Sequence, residues 1–162
     1  MISKDDFLAV VSRTPLISID LILRSQGDNI LLGRRNNRPA KDFWFVPGGR
    51  ILKDERLADA LVRVVRRELG TAVPLAGWRS VGIYEHLYPD NFAGVEGIST
   101  HYVVLPHQLD LDSEVALESD DQHEALRWFS VDELMVHDEV HPYTKAYFAR
   151  PAEPLDRLTD GL

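Results

Sequence analysis

The hydrophobic pattern at the start of the chain predicts a short helix followed by a β-hairpin. Asp5 or Asp6 can cap a helix that runs to about Ser12. Residues 16–24, LISIDLILR, alternate in part and are rich in isoleucine and leucine, which is typical of a strand. The polar turn QGDN separates them from a second apolar run at 30–33, so the two runs are expected to pair.

The stretch from Phe43 to Gly70 combines a strand, a turn and a long helix. FWFV at 43–46 predicts the strand, and the Pro-Gly-Gly sequence that follows predicts a tight turn. A helix is expected from about Asp54 to Leu69, with Gly70 as its C-terminal stop.

The rest of the pattern predicts further strands and two short helices. The strands are expected at 78–88, 99–105 and 125–129. Ser130 with Glu133 forms a capping box for one helix, and Pro142 starts the last one. Strands mixed with helices indicate an α/β layered fold in one domain spanning 1–162, with 151–162 as a loosely held tail.

Two carboxylates stand where the pattern calls for apolar side chains. The long helix carries an apolar stripe at Leu57, Leu61 and Val64, which Glu68 continues. Asp20 lies in the middle of the first strand. Because a buried carboxylate is normally paired or bound to a metal, Glu68 and the backbone oxygens of the Pro-Gly-Gly turn indicate a cation site. For Asp20 a functional role or an arginine partner is expected.

Composition and charge narrow the class of protein. The chain has 162 residues, of which 44% are hydrophobic, as expected for a globular domain. It has no Cys, which excludes disulfides and thiolate chemistry. The net charge of -8 disfavours nucleic-acid binding, whereas five basic residues against one acid at 33–50 suit a small anionic ligand. The longest early apolar run is short and interrupted, so no membrane partner is expected and a cytoplasmic location is the default.

The same central stretch resembles the Nudix box. That pattern is Gly, five residues, Glu, seven residues, Arg-Glu, an aliphatic residue, any residue, Glu-Glu, any residue, Gly. The positions in register are Gly49, Glu55, Arg63, Glu68 and Gly70. Val64 and Arg67 stand where two of the glutamates belong. Ordinary Nudix enzymes use those glutamates to hold several magnesium ions around a diphosphate, so this version lacks part of the carboxylate cluster.

A box with these departures, preceded by FWFVPGGR, is similar to the GDP-mannose mannosyl hydrolase subfamily. Matching segments are NRPAKDFWFVPGGR (37–50), YEHLYPDNF (84–92), THYVVL (100–105) and DQHEALRW (121–128). The resemblance implies the Nudix fold, a mixed sheet between helices, in a homodimer. It also implies Mg²⁺, with Mn²⁺ as a substitute, and hydrolysis of GDP-mannose, or GDP-glucose, at the sugar carbon to GDP and free sugar.

The resemblance extends to individual residues. The metal ligands it implies are the Gly48 carbonyl, Glu68 and Gln122, although Gln122 also reads as an ordinary loop amide. The catalytic residues are His123, Asp20, Arg35 and Tyr102. His123 has the type needed for a base that takes a proton from water, as inverting attack requires. Asp20 would stabilise positive charge at the anomeric carbon, and the Tyr102 hydroxyl could donate to the diphosphate.

The predicted substrate-binding residues form a separate group. They are Asp6, Phe7, Arg34, Arg35, Arg50, Arg63 and His86. Asp6 and Phe7 would bind guanine, with a helix cap and a core aromatic as the simpler alternative. Arg63 would support the diphosphate, although it also lies four residues after Asp59, where a surface ion pair is possible.

Two other functions compete with this interpretation. One is an ordinary Nudix pyrophosphohydrolase that attacks phosphorus. Val64 and Arg67 disfavour it, because they replace carboxylates on which that chemistry depends. The other is a Nudix-like domain that binds a nucleotide without turnover. Retention of Glu68 together with Gln122 and His123 favours catalysis instead.

Overall fold

The computed structural model describes residues 2–117 and 123–149. In chain order these residues form α1 (Lys4–Val11), β1 (Leu16–Ser25), β2 (Asn29–Arg35), β3 (Trp44–Phe45), β4 (Gly48–Arg50), α2 (Leu57–Leu69), β5 (Arg79–Ser80), β6 (Tyr84–Tyr88), β7 (Thr100–Leu111), β8 (His123–Ser130), α3 (Val131–Val136) and α4 (Pro142–Ala146). The predicted tail at 151–162 and the predicted ligand Gln122 lie outside the described residues.

The strands form one mixed sheet in which β1 is central. β1 runs parallel to β7 along its whole length, and it pairs antiparallel with β2 at one end and with β4 at the other. β2 also pairs with β3 and β8, and β7 with β5 and β6. The predicted α/β class is thereby confirmed, while the single strand predicted at 78–88 proves to be two short strands, β5 and β6.

Helices pack against both faces of the sheet because β1 is apolar on both faces. Ile19, Leu21 and Leu23 are fully buried on the face that α2 covers, and Ile22 belongs to the core on the opposite face, which α3 covers. Since successive side chains of a strand alternate between faces, Asp20 projects on the same face as Ile22. No helix within residues 2–117 and 123–149 is both long and apolar enough to cross a bilayer.

The two glycines of the Pro-Gly-Gly sequence begin strand β4, so the tight turn predicted there is wrong. Gly48 to Arg50 pair antiparallel with β1, and the Pro47 carbonyl accepts a hydrogen bond from Leu21 N at 2.7 Å. The glycines are needed because of close approach. A Cβ on Gly48 would lie 2.6 Å from Asp20 Oδ1, and one on Gly49 would lie 3.1 Å from Val64 Cγ2.

The predicted start of the long helix is three residues too early. α2 begins at Leu57 after the N-cap residue Arg56, because Asp54 adopts a φ of 66° and Glu55 belongs to a loop. Its buried face includes Val64 and Glu68 as predicted, but Leu57 is 56% exposed and lies off the predicted stripe.

The predicted helix caps are partly right. Ser3 caps α1 by accepting a hydrogen bond from Asp6 N, so the prediction of Asp5 or Asp6 as the cap is wrong. Gly70 ends α2 with a φ of 70°, and the Ser130 hydroxyl caps α3 by accepting from Glu133 N, as predicted.

Candidate active site

A cleft of about 240 Å³ lies where β1, β4, β6 and β7 meet the C-terminal end of α2. It brings together seven of the residues predicted for the site: Asp20, Arg35, Gly48, Arg50, Glu68, His86 and Tyr102. They come from six separate elements of the chain. The sheet therefore gathers residues that are up to 82 positions apart, as the interval from Asp20 to Tyr102 shows.

Asp20 is the centre of a hydrogen-bonded group inside the cleft. The Tyr147 hydroxyl donates to Asp20 Oδ2 at 2.6 Å and lies 3.2 Å from His86 Nε2. Because the single hydroxyl proton goes to the carboxylate, the second contact suits the His86 tautomer that carries a hydrogen on Nε2. Burial raises the pKa of Asp20 from 3.8 to about 6, against the opposing effects of Tyr147 and Arg35. Asp20 is therefore mainly a carboxylate at pH 7, while remaining close to protonation.

His86 is held neutral in the same group. It is 5% exposed and stacks on Tyr143 with ring centroids 4.3 Å apart. Burial, together with His141 and Arg35, lowers the pKa of His86 from 6.5 to about 4. With its Nε2 hydrogen directed at Tyr147, the neutral imidazole keeps Nδ1 as an acceptor for a hydroxyl group, which suits contact with a sugar better than with an anion.

A β-bulge lies beside Arg35, next to the cleft. Between the pairs Gly33–Leu126 and Arg35–His123, β8 advances three residues while β2 advances two. Bulges of this kind redirect side chains at the edge of a site. The Arg35 guanidinium lies over the ring of Phe45, 5.0 Å from its centroid. His123 faces Arg35 in the strand ladder, which places its backbone beside the cleft.

A second hollow of about 250 Å³ adjoins the cleft, and Arg35, Arg50 and Tyr102 line both. It contains the predicted residue Phe7, which packs on Phe92 with ring centroids 4.9 Å apart. The Arg50 guanidinium covers the Phe7 ring at 3.9 Å. A flat group lying in this hollow would meet two aromatic rings.

Three predicted substrate-binding residues lie apart from the cleft lining. Asp6 is exposed, and its Oδ2 accepts a hydrogen bond from the Ser3 hydroxyl at 2.6 Å. Arg34 donates to the Asp42 carbonyl at 3.3 Å. Arg63 contacts Glu55.

Arg63 joins the loop before α2 to strand β4. Its Nε and one terminal nitrogen donate to the two oxygens of Glu55 at 2.6 and 2.7 Å, and the same terminal nitrogen donates to the Arg50 carbonyl at 2.8 Å. The partner is thus Glu55 rather than Asp59. Hydrogen bonding from Arg63 lowers the pKa of Glu55 from 4.5 to about 2. Arg63 therefore positions Arg50 from behind the cleft.

The two metal ligands predicted within the described residues, Gly48 and Glu68, both line the cleft. The Glu68 side chain is 3% exposed, and its Oε1 lies 3.4 Å from Arg67 Nε. Gly48 faces Asp20 in β4, and because hydrogen-bonded positions alternate along this ladder, its carbonyl points away from β1. These oxygen donors fit one Mg²⁺ that keeps several waters. Among the side chains that the structure describes, at 2–117 and 125–149, no three from His, Cys, Asp or Glu are grouped to hold a metal.

Sequence reasoning missed Tyr147 and Tyr88 as residues of this region. Tyr147 follows α4 and reaches Asp20 across 127 residues of chain, and Tyr88 lines the cleft from β6. Both are aromatic residues in apolar surroundings, a pattern that indicates packing. Only the tertiary contact with Asp20 distinguishes Tyr147 from an ordinary core tyrosine.

Comparison with known proteins identifies a Nudix domain and structures of the same fold. The NUDIX domain model matches residues 14–150. The low-salt glycan biosynthesis protein Agl8 of Haloferax volcanii is 41% identical over 147 residues, covering 90% of this chain and 88% of that protein. The crystal structure of a MutT protein from Methanosarcina mazei has a TM-score of 0.66 at 22% identity, covering 91% of this chain and 98% of that one. The NUDIX domain of Shewanella oneidensis NrtR, complexed with ADP ribose, has a TM-score of 0.63 at 16% identity, covering 98% and 100%.

Proposed function

The chain belongs to the Nudix hydrolase family, and we propose that it hydrolyses GDP-mannose to GDP and free mannose by attack of water at the anomeric carbon. The observation that carries the proposal is the depleted carboxylate set of the box. Val64, 1% exposed, is buried in the core, and Arg67 lines the cleft, each where the Nudix pattern has a glutamate. The likeness to a glycan biosynthesis protein supports a nucleotide sugar as substrate.

The sugar end of the substrate belongs beside Asp20. A carboxylate with one strong hydrogen bond from Tyr147 can stabilise the positive charge that develops on the anomeric carbon. The neutral His86 orients a sugar hydroxyl. His123 takes the proton from the attacking water on the face opposite the leaving group, which gives inversion.

The nucleotide end belongs in the adjoining hollow. Phe7 and Phe92 provide the aromatic surface for the base. Asp6 and Arg34 line neither space, so a contact of either residue with the nucleotide requires a change of side-chain position. Arg35 and Arg50 line both spaces and donate to the diphosphate. Tyr102 contributes one further hydroxyl donor there.

GDP needs charge neutralisation as a leaving group more than it needs a proton. Mg²⁺, with Mn²⁺ as a substitute, supplies that neutralisation when it is bound by Glu68, the Gly48 carbonyl and Gln122. Arg63 supports this end indirectly, because it anchors the Arg50 backbone.

One incubation distinguishes this function from its rivals. The protein is mixed with GDP-mannose and magnesium in heavy-oxygen water, and the products are weighed by mass spectrometry. Label in the free sugar is expected. Label in a phosphate would instead show a conventional pyrophosphohydrolase, and no turnover would show a domain that binds a nucleotide without cleaving it.

Two companion measurements extend the test. The variant His123→Gln should lower turnover by about 100-fold or more while circular dichroism stays native. The proposed homodimer is tested separately by light scattering.

A further inference from the structure

The residue that replaces a box glutamate near the end of α2 lies within the cleft itself. Arg67 lines the cleft together with Glu68 and Gly48, the two metal ligands proposed among the described residues. Its side chain is 52% exposed, whereas that of Glu68 is 3% exposed. A half-exposed guanidinium beside a proposed cation site can reach a ligand that enters from solvent.

Arg67 is less constrained than the other arginines around the cleft. Arg63 is fixed by Glu55 and the Arg50 carbonyl, and Arg50 covers the ring of Phe7. In the described part of the chain Arg67 makes one ion pair, through Nε at 3.4 Å from Glu68. Since a guanidinium has five N–H donors in a fork that matches phosphate oxygens, its two terminal nitrogens retain donor capacity toward the cleft.

We propose that Arg67 is a diphosphate-binding residue that supplies the positive charge for which other Nudix enzymes use an additional divalent ion. This inference rests on the proposed function. At this position a carboxylate would add one negative charge and help to hold a cation. Arg67 places a resident cation at the same position, so the leaving GDP meets positive charge even before a metal binds. Bidentate donation to phosphate oxygens then completes the neutralisation begun by Arg35 and Arg50.

The test measures GDP binding by isothermal titration calorimetry in the presence of a chelator, so that no metal contributes. Arg67→Ala is expected to weaken the affinity for GDP by about 10- to 100-fold, and Arg67→Lys to restore part of it, because lysine keeps the charge but lacks the fork. The matched control is Arg66→Ala, which removes a neighbouring exposed arginine outside the cleft lining and should leave the affinity unchanged.

A second readout follows metal stoichiometry. Titration with Mn²⁺, followed by electron paramagnetic resonance, should show that Arg67→Glu binds one more ion per chain than the wild type does. Unchanged GDP affinity in Arg67→Ala would overturn the inference and leave the proposed function standing. Binding of ADP but not GDP, with the same loss in Arg67→Ala, would support Arg67 and overturn the GDP-sugar assignment. No binding of either nucleotide by the wild type under these metal-free conditions would overturn the inference alone, and the incubation with GDP-mannose and magnesium would decide the proposed function.

Discussion

Replacing Tyr147 by phenylalanine removes one hydroxyl group from the cleft and keeps the ring. That hydroxyl donates to Asp20 at 2.6 Å, a length typical of a hydrogen bond to a charged oxygen. Burial already raises the pKa of Asp20 to about 6, and Tyr147 opposes this effect. We therefore expect the variant to hold Asp20 protonated over a wider pH range than the wild type does.

The size of the effect follows from the strength of the bond. A hydrogen bond to a charged group is worth about 1.5–3 kcal/mol, and about 1.4 kcal/mol corresponds to one pH unit. The pKa of Asp20 in Tyr147→Phe should thus rise by about one to two pH units. In the proposed mechanism both Asp20 and the base act deprotonated, so the acidic limb of kcat/KM is expected to follow the higher of the two pKa values and to move upward. Turnover at pH 7 should fall by about 2- to 10-fold.

The assay is the pH dependence of GDP-mannose hydrolysis from pH 5 to 9. Tyr84→Phe is the matched control, because the Tyr84 ring packs edge-on against Tyr147 at 4.8 Å and its own hydroxyl makes no described bond to Asp20. The control should keep the wild-type limb. An unchanged limb in a natively folded Tyr147→Phe protein would refute the argument that this hydroxyl sets the charge of Asp20.

Three further predictions concern groups around the cleft. Glu55→Gln breaks the ion pair with Arg63 and should lower the free energy of unfolding by about 1–3 kcal/mol in urea titrations; an unchanged midpoint would contradict this. Gly48→Ala places a methyl group 2.6 Å from Asp20 Oδ1, so turnover should fall at least about 10-fold in steady-state assays. The pKa of His86 is about 4 in the folded protein and 6.5 ordinarily, so below pH 6.5 the unfolded chain binds a proton that the folded protein does not. The free energy of unfolding therefore falls as the pH is lowered from 6.5 towards 4. His86→Gln should lose less stability across that window, by up to about 3 kcal/mol, in denaturation measured at each pH.

The periodic parts of the fold could be predicted from the sequence, and the irregular parts could not. β1 and the end of α2 at Gly70 follow from local pattern, because a run rich in isoleucine and leucine is typical of a strand and a glycine with positive φ commonly ends a helix. The Pro-Gly-Gly sequence has two solutions. Glycine permits a tight turn, but it also permits two backbones to approach closely, and only the packing of Gly48 on Asp20 and of Gly49 on Val64 decides for the strand.

Some residues of the candidate site could be predicted from the sequence, and others could not. Asp20 and Glu68 could be identified because each interrupts an apolar pattern, and both line the cleft. The partner of Arg63 could not be identified, since helical spacing favours Asp59 while the loop before α2 brings Glu55 within 2.6 Å. Tyr147 gave no local signal, because its contact with Asp20 depends on where the chain returns after 127 residues.

The charges in the cleft argue for a reaction in which the nucleotide leaves as an anion. Arg35, Arg50 and Arg67 contribute three positive charges to the described lining, against two negative charges from Asp20 and Glu68, in a chain whose net charge is -8. One divalent ion on Glu68 would raise the local excess to three, enough for a diphosphate with two negative charges. Asp20 projects from the face of the sheet opposite α2 and is held there by the Tyr147 hydroxyl. In the proposed function this carboxylate contacts the sugar. Under the proposed function, the positive charges would therefore serve the diphosphate, and the Asp20 carboxylate would serve the carbon from which that diphosphate departs.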